Sequence, residues 1–481
     1  MRQELDGDLG IKIGLEVHCQ ITSLRTKLFC SCPSNYRDYE PNSVICEICM
    51  GLPGSLPRLN AKVIESALKI ALALNCEIPP VTNFFRKNYF YPDTPKNFQI
   101  TQYDKAGGVP IAHNGFLDSW QGRVRIRRIQ IEEDPGKLSY DGNIVTSPYA
   151  LVDYNRAGIA LTEIVTEPDL KNPRHAREFL FKLRSILEHI GVSDGSLEGA
   201  IRADANISLA GGKRVEIKNV SSFKEVDRAL NFEITRQKRL PGGVMETRHW
   251  DEVRRVTVTL RVKEEEEGYR YFPEPDLSPV TLSRDLIDRL KAIMPELPDQ
   301  RRVRFVNEFK VSDEVAKIIT SEKAMADFFE EVILLQYSPK IIGGWLAVDI
   351  PGYLKRRGLD FKEIGINPSH LAELAKELAD GKINDNVAKS ILMKILPVGE
   401  SPRKYLEIEN EIDEPSLREI VTRVFDRNSG AVEEARHDPR VIDFLIGQGM
   451  KETRGRADHA LLRKLISEKL SQESRSNQPK P

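Results

Sequence analysis

The sequence predicts an α+β domain with an antiparallel or mixed sheet, then an all-α helical domain and a small helical tail domain. Three observations lead there. Between Ile11 and Ser278, short strand-like runs are interrupted by helical stretches without a regular βα repeat, which points to α+β organisation. From Tyr271 to Pro279 the chain reads YFPEPDLSP, a proline-rich extended boundary. Beyond it the pattern turns helical.

The strand-like runs are Ile11–Val17, Arg123–Ile131, Ile201–Leu209, Arg214–Lys218 and Arg254–Val262. The last alternates polar and apolar residues from Arg255 onward, as a half-buried strand does. Helical segments fall at Ala61–Asn75, Pro173–Ile190 and Ser222–Lys238. After the boundary come Leu282–Ala292, Asp313–Thr320, Lys323–Leu335, Pro368–Asp380 and Asn384–Leu396. A second boundary near Gly399–Pro402 precedes Ser416–Asp426, Arg440–Gly447 and Asp458–Leu470. The domains are therefore expected at 1–290, 291–403 and 404–475. The end is polar from about Ser471, and 476–481 is expected to be disordered.

Composition narrows the classes. A chain of 481 residues holds two to four domains at roughly 100–200 residues each. The net charge of −1, from 71 basic and 72 acidic residues, excludes a dedicated non-specific nucleic-acid binder, so RNA contact would need local basic patches. Met1–Lys12 is charged and has no signal-peptide core. No run of about 20 apolar residues occurs, so neither a membrane span nor a membrane partner is expected. The expected location is the cytoplasm, where cysteines bind metal more often than they form disulfides.

Cys30 and Cys32 form C-x-C, and Cys46 and Cys49 form C-x-x-C after thirteen intervening residues. Two such knuckles suit a closed, structural tetrahedral zinc site. Free cysteines or a redox pair are the alternatives, but Met50–Gly54 after the second knuckle reads as a loop rather than the helix a redox motif opens. Glu16 and His18 share one face of a strand and could ligate a metal, or be an ordinary surface pair. Glu132, Glu133 and Asp134 are three successive acids at a strand end. They repel one another unless a cation such as hydrated magnesium sits among them, or solvent screens them. Arg202, Asp204 and Asn206 share one strand face, and so do Glu216 and Lys218. Together they suit a triphosphate with its metal, or plain cross-strand ion pairs. In Phe85–Asp93 (FRKNYFYPD), Arg86, Lys87 and Tyr89 interleave charge with rings. That pattern stacks an unpaired base and neutralises phosphate, or is a core strand with two exposed cations. No P-loop, dinucleotide fingerprint or kinase motif is present.

Read together, the motifs resemble one family, the B subunit of the tRNA-dependent amidotransferase that makes Gln-tRNA or Asn-tRNA. The matching strings, in order, are GLEVH, KLFCSC, CEICMGLPGSLPRLN, ALALNC, FRKNYFYPD, KNFQITQYD, IEEDPGK, VDYNRAG, LTEIVTEPD, EGAIRADAN, EIKNVSSF, ETRHWD and YRYFPEPDL, with FLIGQGMKETRGRAD near the end. Pro135, Cys19 and EGAIR depart from the usual pattern without removing a charged or ligand residue. The resemblance implies a glutamine synthetase-like catalytic cradle over 1–290 and a tRNA-binding tail. It implies ATP, magnesium and structural zinc as cofactors. The implied reaction is ATP-dependent phosphorylation of the side-chain carboxylate of Glu-tRNA(Gln) or Asp-tRNA(Asn), then amidation. It places catalysis at Glu16, His18, Glu132, Glu133, Asp204, Glu216 and Lys218, magnesium at Glu16, His18 and Glu133, and nucleotide at Lys87, Arg202 and Asn206. Arg86, Tyr89, Lys451, Arg454 and Arg456 would hold tRNA. No glutaminase motif is visible, so ammonia is expected from a glutaminase A subunit, clasped by a small C subunit in a heterotrimer. Two other readings stand beside this one. One is the sister subunit of the archaeal Glu-tRNA-specific enzyme, which carries a large insertion not evident here. The other is a non-catalytic zinc-ribbon RNA-binding protein, against which the clustered acids argue.

Overall fold

The structure is a computed structural model that describes residues 10–141, 147–218, 220–240, 243–262, 266–335, 338–406, 414–435, 438, 440–453 and 457–476. The chain divides into two compact units, Met1–Gln300 and Arg301–Pro481.

In the first unit the strands are β1 (Lys12–Gln20), β2 (Val81–Thr82), β3 (Phe85–Asn88), β4 (Phe98–Thr101), β5 (Ala112–Ser119), β6 (Gly122–Glu133), β7 (Lys137–Tyr140), β8 (Ala150–Asp153), β9 (Ala160–Thr166), β10 (Ile201–Ser208), β11 (Val215–Lys218), β12 (Glu246–Asp251), β13 (Val256–Val262), β14 (Phe272–Pro273) and β15 (Val280–Thr281). The helices are α1 (Ala61–Ala73), α2 (Pro173–His189), α3 (Phe223–Arg239) and α4 (Arg284–Ala292). Eight strands form one sheet in the order β13-β12-β11-β10-β1-β9-β6-β5. It is mixed, because β11 and β12 run parallel while its other pairs are antiparallel.

Period-2 alternation decides what this sheet does. Ile13, Leu15, Val17 and Cys19 of β1 are buried in a core with α1, α2 and α3. Each large apolar side chain so buried contributes about 2 kcal/mol. The helices begin where polar caps allow. Asn60, Asn172 and Ser222 accept backbone N–H groups of Lys62, His175 and Glu225. The other sheet face carries the polar half of each alternation.

YFPEPDLSP, expected as a boundary, is folded into this unit. Phe272–Pro273 pairs with β3, Val280–Thr281 pairs with β2, and Leu282 and Leu290 join the first core. The extended proline backbone that reads as a linker serves equally as an edge strand.

The second unit is helical, with two separate apolar cores. One is built on α5 (Pro298–Phe309), α6 (Asp313–Ile319), α7 (Lys323–Leu334), α8 (Pro339–Gly344), α9 (Ile350–Arg357), α10 (Pro368–Ala379) and α11 (Asp385–Ile395), with Tyr405 and Leu406 of α12 (Arg403–Leu406) packed against it. The other is built on α13 (Glu414–Arg427), α14 (Ser429–Ala435), α15 (Val441–Glu452) and α16 (His459–Ser476). The polar stretch from Ser471 continues α16 through Ser476. Polar residues extend a helix cheaply once its packed half has nucleated it. The expected disorder at 477–481 lies outside the described residues. No helix among them is long and apolar enough to cross a membrane.

Candidate active site

The polar face of the large sheet gathers residues from five adjacent strands. Register places Glu16 opposite Asp204 and His18 opposite Arg202 on one side of β1, and His18 opposite Glu163 on the other. Asn206 lies opposite Glu216, and Gln130 opposite Glu163. Alternation then brings Glu132, Glu163, Glu16, His18, Arg202, Asp204, Asn206, Glu216 and Lys218 onto one surface.

Two clusters form there. In the first, carboxylate oxygens of Glu16, Asp204 and Glu216 all lie within 4.8 Å of one another. Lys218 Nζ bridges Asp204 at 3.0 Å and Glu216 at 3.2 Å. Asn206 Nδ2 donates to Glu16 Oε1 at 3.0 Å, and Thr247 Oγ1 donates to Glu216 Oε2 at 2.9 Å. Burial opposes the charge of Lys218, but Asp204, Glu216 and Glu16 outweigh it and raise its ammonium above the usual range. Ligand oxygens around magnesium stand about 3–4 Å apart, so small side-chain rotations would let this trio fit one.

In the second cluster His18 Nε2 lies 3.4 Å from Glu132 Oε1 and 3.8 Å from Glu163 Oε1. Burial first, then the charge of Glu132, pushes the Glu163 carboxyl up to about 7, against the opposing effect of His18. Two carboxylates thus flank one imidazole in a half-dry site, but unlike the first trio their ligand atoms do not all lie within 4.8 Å of one another, so these side chains would have to draw together to share a divalent cation.

Glu133 does not join Glu16 and His18. It follows Glu132 within β6 and so points to the opposite face. There Lys96 Nζ meets it at 2.5 Å and the Ile100 N–H at 2.8 Å. The three-acid run thus splits. Asp134 is buried and holds Arg202 Nη2 at 2.8 Å, Gln20 Nε2 at 2.7 Å and Arg156 Nε at 3.6 Å. Burial raises the Asp134 carboxyl, but Arg202 and Arg156 outweigh that and leave it below the usual carboxylate range. Arg202 is accordingly committed to Asp134 at the edge of the polar face.

In the FRKNYFYPD segment, Arg86 Nε and Nη2 donate to Glu274 at 2.7 and 2.8 Å, and Nη2 to Asp276 at 3.2 Å. The structure therefore does not leave Arg86 free for RNA phosphate. Lys87 rests instead against the rings of Tyr89 and Tyr269. Chiefly burial pushes the Tyr89 phenol up to about 12. The segment borders the second cluster through its partner strand, because β4 pairs with β3 and its Thr101 Oγ1 donates to Glu132 Oε2 at 3.4 Å.

The sulfurs of Cys30, Cys32, Cys46 and Cys49 lie within 4.8 Å of one another. Around zinc with 2.3 Å bonds, sulfurs stand about 3.8 Å apart, so the four fit that ion. Lys27, buried beneath them, donates to Val44 O at 2.9 Å and approaches Cys49 Sγ at 3.8 Å. Gly158, beside Cys49, has φ +83°, a left-handed backbone that glycine adopts without the strain a Cβ would bring. In the second unit Lys451 is exposed at the end of α15. Arg454 and Arg456 lie outside the described residues.

Sequence reasoning misses Glu163, Lys96 and Lys27. Glu163 has a signal: it is the one charged residue in the strand ALTEIVT.

A family model described as the GatB/GatE catalytic domain matches residues 11–288, and one described as the GatB domain matches 327–470. Relatives match nearly end to end. The B subunit of the aspartyl/glutamyl-tRNA(Asn/Gln) amidotransferase of Saccharolobus solfataricus is 47% identical, over 96% of this chain and 99% of its own. That of Sulfurisphaera tokodaii is 48% identical, over 95% and 98%. That of Thermotoga maritima is 42% identical, over 96% and 99%. These matches define a catalytic domain of the tRNA-dependent amidotransferase class. The chain belongs to the family of aspartyl/glutamyl-tRNA(Asn/Gln) amidotransferase B subunits. A non-catalytic RNA-binding module is not favoured, since the family matched over 11–288 is that of a catalytic domain.

Proposed function

We propose that this chain activates the side-chain carboxylate of Glu on tRNA(Gln) or Asp on tRNA(Asn) with ATP, and then passes it to ammonia. The observation that carries this reading is the single sheet face on which two acidic clusters stand side by side, bordered by Lys218 and Arg202. A carboxylate oxygen of the aminoacyl group attacks the γ-phosphorus, the bond to ADP breaks, and an acyl phosphate forms. Ammonia then displaces phosphate and loses a proton to leave the amide. Bound magnesium would offset the repulsion between carboxylate and triphosphate. Glu16, Asp204 and Glu216 would hold one ion and His18, Glu132 and Glu163 another. Lys87, Lys218 and Asn206 would orient phosphate oxygens by charge and hydrogen bonding. Tyr89 would stack the terminal base of the tRNA.

The finer architecture follows the same reading. Residues 1–290 would form a cradle akin to glutamine synthetase. Residues 291–403 would be a helical domain, and 404–475 a tRNA-holding tail that uses Lys451, Arg454 and Arg456. A glutaminase A subunit and a small C subunit would complete the complex in the cytoplasm.

The full chain, given mischarged Glu-tRNA(Gln) or Asp-tRNA(Asn), ATP, magnesium and ammonium chloride, should release phosphate and form the amide. Failure with both tRNAs would overturn the reading. For the knuckle, metal analysis should find about one zinc per chain. Cys46→Ser should lose that zinc and lower the melting temperature. A wild-type chain that folds without zinc would sink the zinc assignment.

A further inference from the structure

Lys87 has an unusual setting. Among the described residues it forms no ion pair, although Glu132 and Asp93 both lie within electrostatic reach of neighbouring Tyr89. Its ammonium sits 5.0 Å from the ring centroid of Tyr269 and 5.9 Å from that of Tyr89. The two rings are themselves perpendicular at 6.3 Å, in an edge-to-face pair. Tyr269 in turn meets Tyr271 at 6.2 Å, and Tyr271 stacks flat on Tyr103 at 4.1 Å and 4°. Four tyrosines thus brace the wall against which Lys87 rests.

The backbone that delivers Tyr269 is strained. Arg270, between the two tyrosines, has φ +45°, a left-handed conformation that any residue with a Cβ adopts at a cost. Asn88, next to Lys87 on β3, holds that turn by donating from Nδ2 to the carbonyls of Arg270 at 2.8 Å and Tyr269 at 3.4 Å. Strain of this kind persists where surrounding contacts enforce it, and it concentrates at functional sites. A lysine held by ring faces keeps its charge and its three donors available. One clamped by a carboxylate, as Lys96 is by Glu133, does not.

We propose that Tyr269, with Tyr89, is the positioning residue that holds the Lys87 ammonium unpaired and ready for the phosphate group transferred at the acidic face. This rests on the proposed phosphorylation reading. The electrostatics fit a dianionic or trianionic phosphate rather than a neutral ligand, since ring quadrupoles localise a cation without neutralising it.

A double-mutant cycle tests it, using the full chain with mischarged tRNA, ATP, magnesium and ammonium chloride, and reading phosphate release. Tyr269→Leu keeps apolar bulk and removes the ring. It is expected to lower kcat about tenfold, with the KM for aminoacyl-tRNA unchanged. Tyr269→Phe keeps the ring and should restore kcat to within about twofold. In a Lys87→Met background, Tyr269→Leu should cost nothing further, because its effect runs through the lysine. If Tyr269→Leu matches wild type, or costs the same factor with and without Lys87, the positioning role is overturned. If Tyr269→Phe is as impaired as Tyr269→Leu, the ring is not what acts, and the proposal falls as well. If Lys87→Met alone is fully active, what fails is the reading of Lys87 as a phosphate contact, and the proposal falls with it.

Discussion

Glu132→Gln should lower ATP-dependent phosphate release roughly a hundredfold or more, with the melting temperature nearly unchanged. Its neighbour should behave in the opposite way. Glu133→Gln leaves Lys96, only 9% exposed at its side chain, without its carboxylate. Breaking a buried pair from one side costs about 3 kcal/mol or more, and melting should drop by about 5 °C or more. Phosphate release per folded molecule should stay closer to wild type than in Glu132→Gln. Calorimetry and a phosphate assay on both variants decide the matter. Equal losses of activity at both positions, or a thermally neutral Glu133→Gln, would mean that the two faces of β6 do not divide their work in this way. The contrast follows from one peptide unit of strand geometry, which turns consecutive side chains to opposite faces.

Glu163→Gln should separate stability from activity more sharply. The folded carboxyl sits at about 7, against an ordinary value near 4.5. Without metal, the folded state therefore keeps a proton that the unfolded state has lost between those values. Stability falls as pH rises through that window, by up to about 3 kcal/mol. Glutamine removes the ionisation, so metal-free Glu163→Gln at pH 8 should melt above the parent, and the difference should vanish near pH 4. The same variant should lose phosphate release, because a neutral amide neither binds a divalent cation strongly nor balances His18. Denaturation of the metal-free proteins at several pH values, beside an activity assay, reads both effects. Parallel stability curves for the two proteins would remove the claim that burial strains this carboxyl. Full activity would remove its role in the second cluster.

Much of the site is legible in the sequence because it follows local rules. Period-2 alternation alone puts Glu16 with His18, Arg202 with Asp204 and Asn206, and Glu216 with Lys218. The four cysteines are legible because each pair sits on a short knuckle. What stays hidden depends on non-local pairing. Nothing near His18 in sequence announces that β9, some 145 residues later, lies beside it and delivers Glu163. Arg86 reads as a free cation until β14 returns with Glu274 to neutralise it. The acids at 132–134 read as one cluster because their adjacency in sequence masks the fact that the strand continues through Glu133. Among helices, the long amphipathic ones such as α2 and α11 are legible to within a residue or two. Short α8, α12 and α14, of 6, 4 and 7 residues, present too few turns for a periodic signal.

The division of the sheet into one wet and one dry face has an evolutionary consequence. Substitutions on either face can accumulate independently, because no residue of β1 serves both. Insertions and deletions cannot. Adding one residue before Glu16 would carry Val17 to the wet face and swing both Glu16 and His18 into the packing of α1, α2 and α3. Strands β1, β6, β9, β10 and β11 are therefore expected to hold their lengths among relatives, while length variation collects in the connections between them.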